Sequence, residues 1–273
     1  MSQQYAGAIM SIGGTEGNSV CLNGNFSQYL SVAKNSALEP ATNGAWTLEM
    51  WVYATGGGAS MAVATYANAT VSSGSDVGYY VNINPGTSIA GGVYSSTTQY
   101  NIASSVGAAT INNWIHIALV STGSTMSLYV NGFSVGTPQT VTGVAINAPA
   151  SAQFRIGNYL TNAYSTGQYY TGYISNLRFV KGTAVYTANF TPPTGPLQNI
   201  ANTSLLTCQS PTIIDNSSSP LTITNNNSVV VSSNAPFTAY NPFAQNPALG
   251  ASTPGLWTLP QAMQAVQNRT WAM

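Results

Sequence analysis

The sequence predicts an all-β fold, an antiparallel sandwich carrying a C-terminal extended arm and a short helix. Three observations lead there. Short runs of β-branched and aromatic residues recur at regular spacing, separated by Gly, Ser and Asn clusters, the pattern of a sandwich. Hydrophobic residues make up 44% of the 273, and Gly, Ser, Thr, Asn and Tyr fill most of the rest, a strand-forming composition rather than a helical one. Late in the chain Pro236, Pro242, Pro247 and Pro254 interrupt a stretch that cannot hold a core and reads as extended.

In order, residues 1–18 are small and polar, with one apolar patch at Ala8, Ile9 and Met10, and read as an arm or an extra edge strand. Cys21 to Val32 supplies the first core strand, with a bend at Asn23-Gly24. Trp46 to Tyr53 alternates: Trp46, Leu48, Met50 and Val52 point to the core, and Thr47, Glu49, Trp51 and Tyr53 point away. Ala62 to Tyr66, Gly78 to Ile83 and Ala90 to Tyr94 continue as short strands. Trp114 to Val120 is nearly all apolar, as expected of a strand covered on both faces. Met126 to Val130 leads through Asn131-Gly132, a type I′ hairpin signal, into Phe133 to Val135. Phe154 to Gly157 and Tyr169 to Val180 complete the meander.

Within the last of these, Ile174 and Leu177 fall out of phase, and a β-bulge at Ser175-Asn176 returns both to one face. Val185, Tyr186 and Phe190 form a short apolar run, and Pro192-Pro193 stops it, so the segment reads as a closing strand followed by an exit turn. Leu205-Leu206, Ile213-Ile214, Leu221 to Ile223 and Val229 to Val231 then stand as apolar beads among Asn and Ser, implying two or three accessory strands. Thr258 to Gln261 reads as a capping box opening a helix. Trp257, Leu259, Met263, Val266 and Trp271 are its candidate docking residues, with another subunit or another protein as acceptor.

Four segments, CLNGNFSQYLSV (21–32), WTLEMWVYA (46–54), WIHIALV with MSLYVNG (114–132) and GYISNLRFVKGTAVYTANFTPPTGPL (172–197), resemble in order and spacing the laminin-G-like or concanavalin-A-like lectin jelly roll. The resemblance divides the chain into residues 1–18, a jelly-roll sandwich at 19–198, accessory strands at 199–235 and a proline-rich arm with its helix at 236–273. YTANFTPPTGPL followed by LLTCQSPTIIDNSSSPLTITNN resembles versions found in structural proteins of tailed bacteriophages. That resemblance implies a capsid decoration, fibre or tail component of a virion, assembled in a host cytoplasm, with other virion proteins and further copies of itself as partners. A carbohydrate-binding module for host surface glycans is the alternative reading, and a glycosidase a remote one.

Charge narrows the functions further. Only 4% of residues are Asp, Glu, Lys or Arg, against roughly a quarter in ordinary soluble proteins. A surface built of hydroxyls, amides and tyrosines meets neighbours with little repulsion, which suits an assembly. Lys34, Arg155, Arg178, Lys181 and Arg269 form no cluster for phosphates, which excludes nucleic acid. No apolar run reaches 18 residues, so no membrane-spanning helix is expected. The first residues have neither the basic flank nor the apolar core of a signal peptide. In the reducing setting this implies, Cys21 and Cys208 are expected as free thiols, although the lectin-like arrangement would permit them to pair.

No enzyme is expected. Glycoside hydrolysis needs two facing carboxylates, and Glu16, Glu39, Glu49, Asp76 and Asp215 are isolated in sequence. His116, the single histidine, sits between isoleucines with no sequence-near nucleophile or ligand, and reads as a core or sheet-surface residue. Asp76 in SSGSDVG is a turn aspartate by default and a weak calcium candidate, because one carboxylate is thin for an ion taking 6 to 8 oxygens; no cofactor is otherwise implied. The candidate recognition surface is aromatic: Tyr159, Tyr164, Tyr169, Tyr170 and Tyr173 crowd NYLTNAYSTGQYYTGY among amides and hydroxyls, a composition suited to a glycan or to a protein partner.

Overall fold

The computed structural model describes residues 15–56, 60–68, 71–159 and 168–238. The strands are, in order, β1 (Thr15–Glu16), β2 (Ser19–Asn23), β3 (Tyr29–Ala33), β4 (Trp46–Ala54), β5 (Met61–Asn68), β6 (Val77–Asn84), β7 (Ser88–Ser95) and β8 (Thr98–Ala103). They continue with β9 (Trp114–Ser121), β10 (Thr125–Val130), β11 (Phe133–Thr140), β12 (Ala152–Ile156), β13 (Asn158–Tyr159), β14 (Gln168–Tyr169) and β15 (Thr171–Lys181). The last are β16 (Thr203–Thr207), β17 (Ile223–Asn226), β18 (Val230–Ser232) and β19 (Phe237–Thr238).

Two antiparallel sheets pack face to face. The first runs β11-β10-β9-β4-β15-β2-β18, with β16 alongside β15, and the second runs β17-β3-β12-β5-β6-β7-β8. Two small ribbons, β1 with β19 and β13 with β14, complete the pairing. Between the sheets lies one apolar core, fed by the inward phase of each strand, including Trp46, Leu48, Met50 and Val52 of β4 and Tyr79, Val81 and Ile83 of β6. Its centre is an aromatic pile: Tyr79 stacks on Tyr66 at 5.3 Å and on Phe179 at 5.5 Å between ring centroids, and Trp46 lies over Phe179 at 6.0 Å. Rings offset in this way gain roughly 0.5–1.5 kcal/mol per pair beyond their burial.

Several expectations are met residue by residue. β4 alternates as read, β9 is buried on both faces, and Asn131 and Gly132 turn the β10–β11 hairpin with φ of 49° and 82°, the two positive values a type I′ turn requires. The bulge lies where it was inferred. β15 takes three residues from Ser175 to Arg178 against two on β4, and Asn176 sits at φ 52°, a conformation asparagine tolerates. Asn176 is fully buried; its amide donates to Ser175 Oγ and its carbonyl accepts from Leu197 N at 2.8 Å.

Other expectations are corrected. Cys21 to Val32 is not one bent strand. β2 belongs to the first sheet and β3 to the second, and the chain crosses between them at residues 24–28, where Gln28 Oε1 caps Asn23 N at 2.8 Å. β8 was not foreseen, because its exposed Thr, Gln and Asn hide an edge strand. Residues 182–198 are more than an exit turn. They form a strap across the outer face of the first sheet, where Ala184, Tyr186 and Phe190 pack on Ala118, Val120 and Tyr129, before the chain returns as β16. The accessory strands expected after residue 198 are present as β16, β17 and β18, with β17 and β18 at the sheet edges, but Ile213-Ile214 lies outside any strand.

Among the described residues no α-helix occurs. The chain divides into two units, and one of them, Gly14–Ala239, holds every described residue. The arm and its docking residues Trp257, Leu259, Met263, Val266 and Trp271 lie outside the described residues.

Candidate functional site

Outward-pointing residues of the first sheet fall into rows, because paired residues on neighbouring strands share a face. One row is ionic. Glu49 on β4 stands opposite Arg178 on β15, and the bulge decides this: without the extra residue at Asn176, Arg178 would turn into the core. Arg178 Nε and Nη2 both donate to Glu49 Oε1, at 2.9 and 2.5 Å, and Nη1 donates to Gln198 O at 2.8 Å. Glu49 Oε2 accepts from Tyr186 Oη at 2.8 Å and from His116 Nε2 at 3.2 Å. His116 Nδ1, on the far side of the ring, is buried without a partner.

Glu49 and His116 are wholly buried and Arg178 almost so. Burial alone would raise the Glu49 carboxyl, but the His116 hydrogen bond, the Arg178 charge and the Tyr186 hydroxyl outweigh it and hold Glu49 below the usual carboxylate range. Burial, together with the Glu49 charge, pushes the Tyr186 phenol well up. The strap roofs the cluster, anchored by Thr47 Oγ1, which donates to Thr183 O at 3.0 Å and accepts from Val185 N at 2.9 Å. Every oxygen of Glu49 is therefore committed, and no solvent reaches it. The arrangement fastens the strap and offers nothing to a substrate.

Beyond the strap the same face becomes aromatic. Trp114 on β9, Tyr53 on β4 and Tyr173 on β15 are in register on three adjacent strands. Their ring centroids are 5.5 Å (Tyr53–Trp114) and 5.8 Å (Tyr53–Tyr173) apart, each pair edge to face. All three are partly exposed. Trp51, in the next row, meets His116 on one side and Phe237 on the other at 5.2 and 5.7 Å. Asn23, Thr55 and Thr171, exposed or partly so, border the open end of the row. Gly172 makes the row possible: at φ 136° it brings β15 so close to β4 that an added Cβ would collide with Tyr53 O.

The model of the Concanavalin A-like lectin/glucanases superfamily matches residues 23–185, more than half of the chain. The chain belongs to the concanavalin A-like lectin/glucanase superfamily. No curated protein matches it. Among solved structures, a heptameric SAP-like pentraxin from Limulus polyphemus aligns with a TM-score of 0.51 at 13% identity, over 80% of this chain and 95% of its own. A candidate carbohydrate-binding protein from Bacteroides ovatus aligns with a TM-score of 0.51 at 14% identity, over 79% of this chain and 62% of its own. At such identities the likeness is one of fold.

Within this lectin-like sandwich the tyrosines read as one surface are divided. Tyr173 joins the aromatic row. Tyr170, 1% exposed, is a core residue, because strand alternation turns it inward. Tyr159 and Tyr169 belong to the β13–β14 ribbon of the second sheet's side, where Tyr159 packs with Tyr80 and Tyr94, and Tyr169 lies 6.3 Å from Phe26. Burial raises the Tyr159 phenol to about 12. Tyr164 lies outside the described residues. Trp114 and Tyr53 were missed as site residues; their signal was the outward phase of β4 and the matching position at the start of β9.

Asp76 serves its own turn. Oδ2 accepts from Ser72 N and Ser73 N at 2.8 and 3.1 Å, and Oδ1 accepts from Asn68 Nδ2 at 2.7 Å. Both oxygens thus face N–H donors, which repel a cation, and among the described residues no cluster of three metal-ligating side chains occurs. Asp215 likewise gathers Leu206 N, Ser217 N and Leu221 N. Glu39 accepts from Tyr66 Oη at 2.6 Å and pairs with Lys34 at 3.5 Å. Cys21 and Cys208 are both free: Cys208 lies in the core, while Cys21 alternates outward between the core residues Val20 and Leu22. Burial pushes the Cys208 thiol up to about 12.

Proposed function

We propose that this chain is a non-catalytic carbohydrate-binding module whose ligand stacks on Trp114, Tyr53 and Tyr173. The observation that carries the reading is the row itself: three partly exposed rings in register on rigid strands, with amide and hydroxyl side chains at the open end. Ring faces cover the apolar face of a pyranose, and the polar border meets its hydroxyls. The superfamily holds both lectins and glucanases, so fold alone does not choose. What favours binding over hydrolysis is that Glu39, Glu49, Asp76 and Asp215 are each engaged by their own neighbours, whereas cleavage needs two carboxylates facing one groove.

A glycan array on wild type beside Trp114→Ala and Tyr173→Ala tests this. Each truncation should weaken binding by tenfold or more, corresponding to about 1.5–3 kcal/mol of lost aromatic burial. Wild type that binds no glycan, or variants that bind equally well, would overturn the proposal.

A second reading, compatible with the first, is a structural role in a phage particle beside other virion proteins and further copies of this chain. The 4% charged content favours it, since so neutral a surface suits close packing against neighbours. Light scattering on purified protein tests it: a concentration-independent monomer that also fails to associate with particles counts against it.

A further inference from the structure

On the outer face of the second sheet a cation is buried with no anion beside it among the described residues. Arg155 on β12 is 4% exposed. Its Nε and Nη2 donate to the neutral Gln153 Oε1 at 3.1 and 3.0 Å, and the Tyr29 ring lies 5.3 Å from Cζ. Glu39 is paired with Lys34, Glu49 with Arg178, and Asp76 and Asp215 accept from their own turns. Among the described residues no carboxylate pairs with Arg155. A buried guanidinium held only by a neutral amide is costly to the fold, so its presence calls for a use.

A second observation points the same way. Thr65 on β5 is the register partner of Arg155; it is 1% exposed, and its Oγ1 is buried with no hydrogen-bond partner. On the other side Arg155 pairs with Ser31 of β3, whose Oγ accepts from Asn226 Nδ2 at 3.0 Å. Ser31, Arg155 and Thr65 therefore stand side by side on three adjacent strands, about 4.8 Å apart. Tyr29 and Asn226, both partly exposed, border them.

We propose that Arg155 and Thr65 form a site for the carboxylate of an acidic sugar. The free edge of the guanidinium offers two parallel N–H groups, the geometry a planar carboxylate takes best, and the Thr65 hydroxyl supplies a third donor. Tyr29 gives the sugar ring an apolar surface and Asn226 an amide. Burial depresses the Arg155 guanidinium, with Tyr29 opposing this, and a bound anion relieves that cost. The sugar part of the proposal rests on the carbohydrate-binding reading, but the site lies on the opposite face of the sandwich from the aromatic row.

The test is calorimetric titration of the full chain with oligogalacturonides, with the same oligosaccharides after carboxyl reduction, and with acetate alone. Wild type should bind the acidic oligosaccharides at least tenfold more tightly than the reduced ones, and the affinity should fall as salt rises. Arg155→Lys, which keeps the charge and loses the fork, and Thr65→Val should each weaken binding at least tenfold with unchanged melting temperature. Trp114→Ala should leave it intact. Equal affinity for acidic and reduced oligosaccharides in wild type would overturn the proposal whatever the variants do, as would indifference to Arg155→Lys. Acetate binding as tightly as the oligosaccharide would overturn the assignment to a sugar. Neutral glycans that bind through Trp114 while these tests fail would leave the carbohydrate-binding reading standing.

Discussion

Replacing Glu49 with Gln tests whether the sealed ionic row holds the fold. The substitution keeps the side chain's shape and removes its charge, so Arg178, with a side chain 6% exposed, loses the anion that takes its Nε and Nη2. Breaking a buried pair from one side costs about 3–5 kcal/mol, because the remaining charge stays buried and uncompensated. For a domain of this size each kcal/mol moves Tm by roughly 2–4 °C, so Glu49→Gln should melt roughly 6–20 °C below wild type. Arg178→Met should cost a comparable amount. The double variant Glu49→Gln/Arg178→Met removes both charges and should lose far less than the two single losses summed. Urea denaturation followed by circular dichroism on all four proteins gives the coupling energy. A Glu49→Gln loss under about 1 kcal/mol, or single losses that simply add, would refute the argument that this row fastens strap to sheet.

Acid should act through the same group. Glu49 has a folded-state pKa below its unfolded value, so its contribution is complete above the unfolded pKa of about 4.3 and drains away as pH falls through the folded value. Wild type should therefore lose stability below about pH 5 more steeply than Glu49→Gln, as measured by Tm across an acid series. Gly172→Ala should cost about 2–4 kcal/mol, because φ 136° and the collision with Tyr53 O both penalise a Cβ; a variant as stable as wild type would contradict the close approach of β15 to β4. Millimolar calcium should leave Tm unchanged in wild type and in Asp76→Asn, and the substitution itself should cost about 1 kcal/mol at most. A calcium-dependent rise in Tm that Asp76→Asn abolishes would reinstate the aspartate as a ligand.

Most of the sandwich was legible because alternation is a direct image of which side chains are wet. β4, β9 and the β10–β11 turn could be read from spacing and from Asn131-Gly132 alone. The crossing between β2 and β3 was hidden, since a turn residue marks a change of direction without saying which sheet the chain enters next. The bulge at Asn176 was readable from Ile174 and Leu177, yet its larger effect concerned Arg178, aimed by it at Glu49 129 residues earlier. The tyrosines show the converse. Closeness in sequence suggested a surface, but a period of two and a passage from one sheet to the other sent Tyr170 inside and left Tyr173 with Tyr53 and Trp114, which the sequence keeps far apart.

The pairing of β17 with β3 and of β18 with β2 bears on how the protein is made. β2 and β3 leave the ribosome roughly 200 residues ahead of these flanking partners, about 10–40 s at ordinary synthesis rates. Until then each shows a bare ladder of peptide groups, in a chain with almost no charge to discourage a stray neighbour. Nascent copies crowded on one message are thus the most exposed to mispairing, and slower growth or an attendant chaperone should raise the soluble yield.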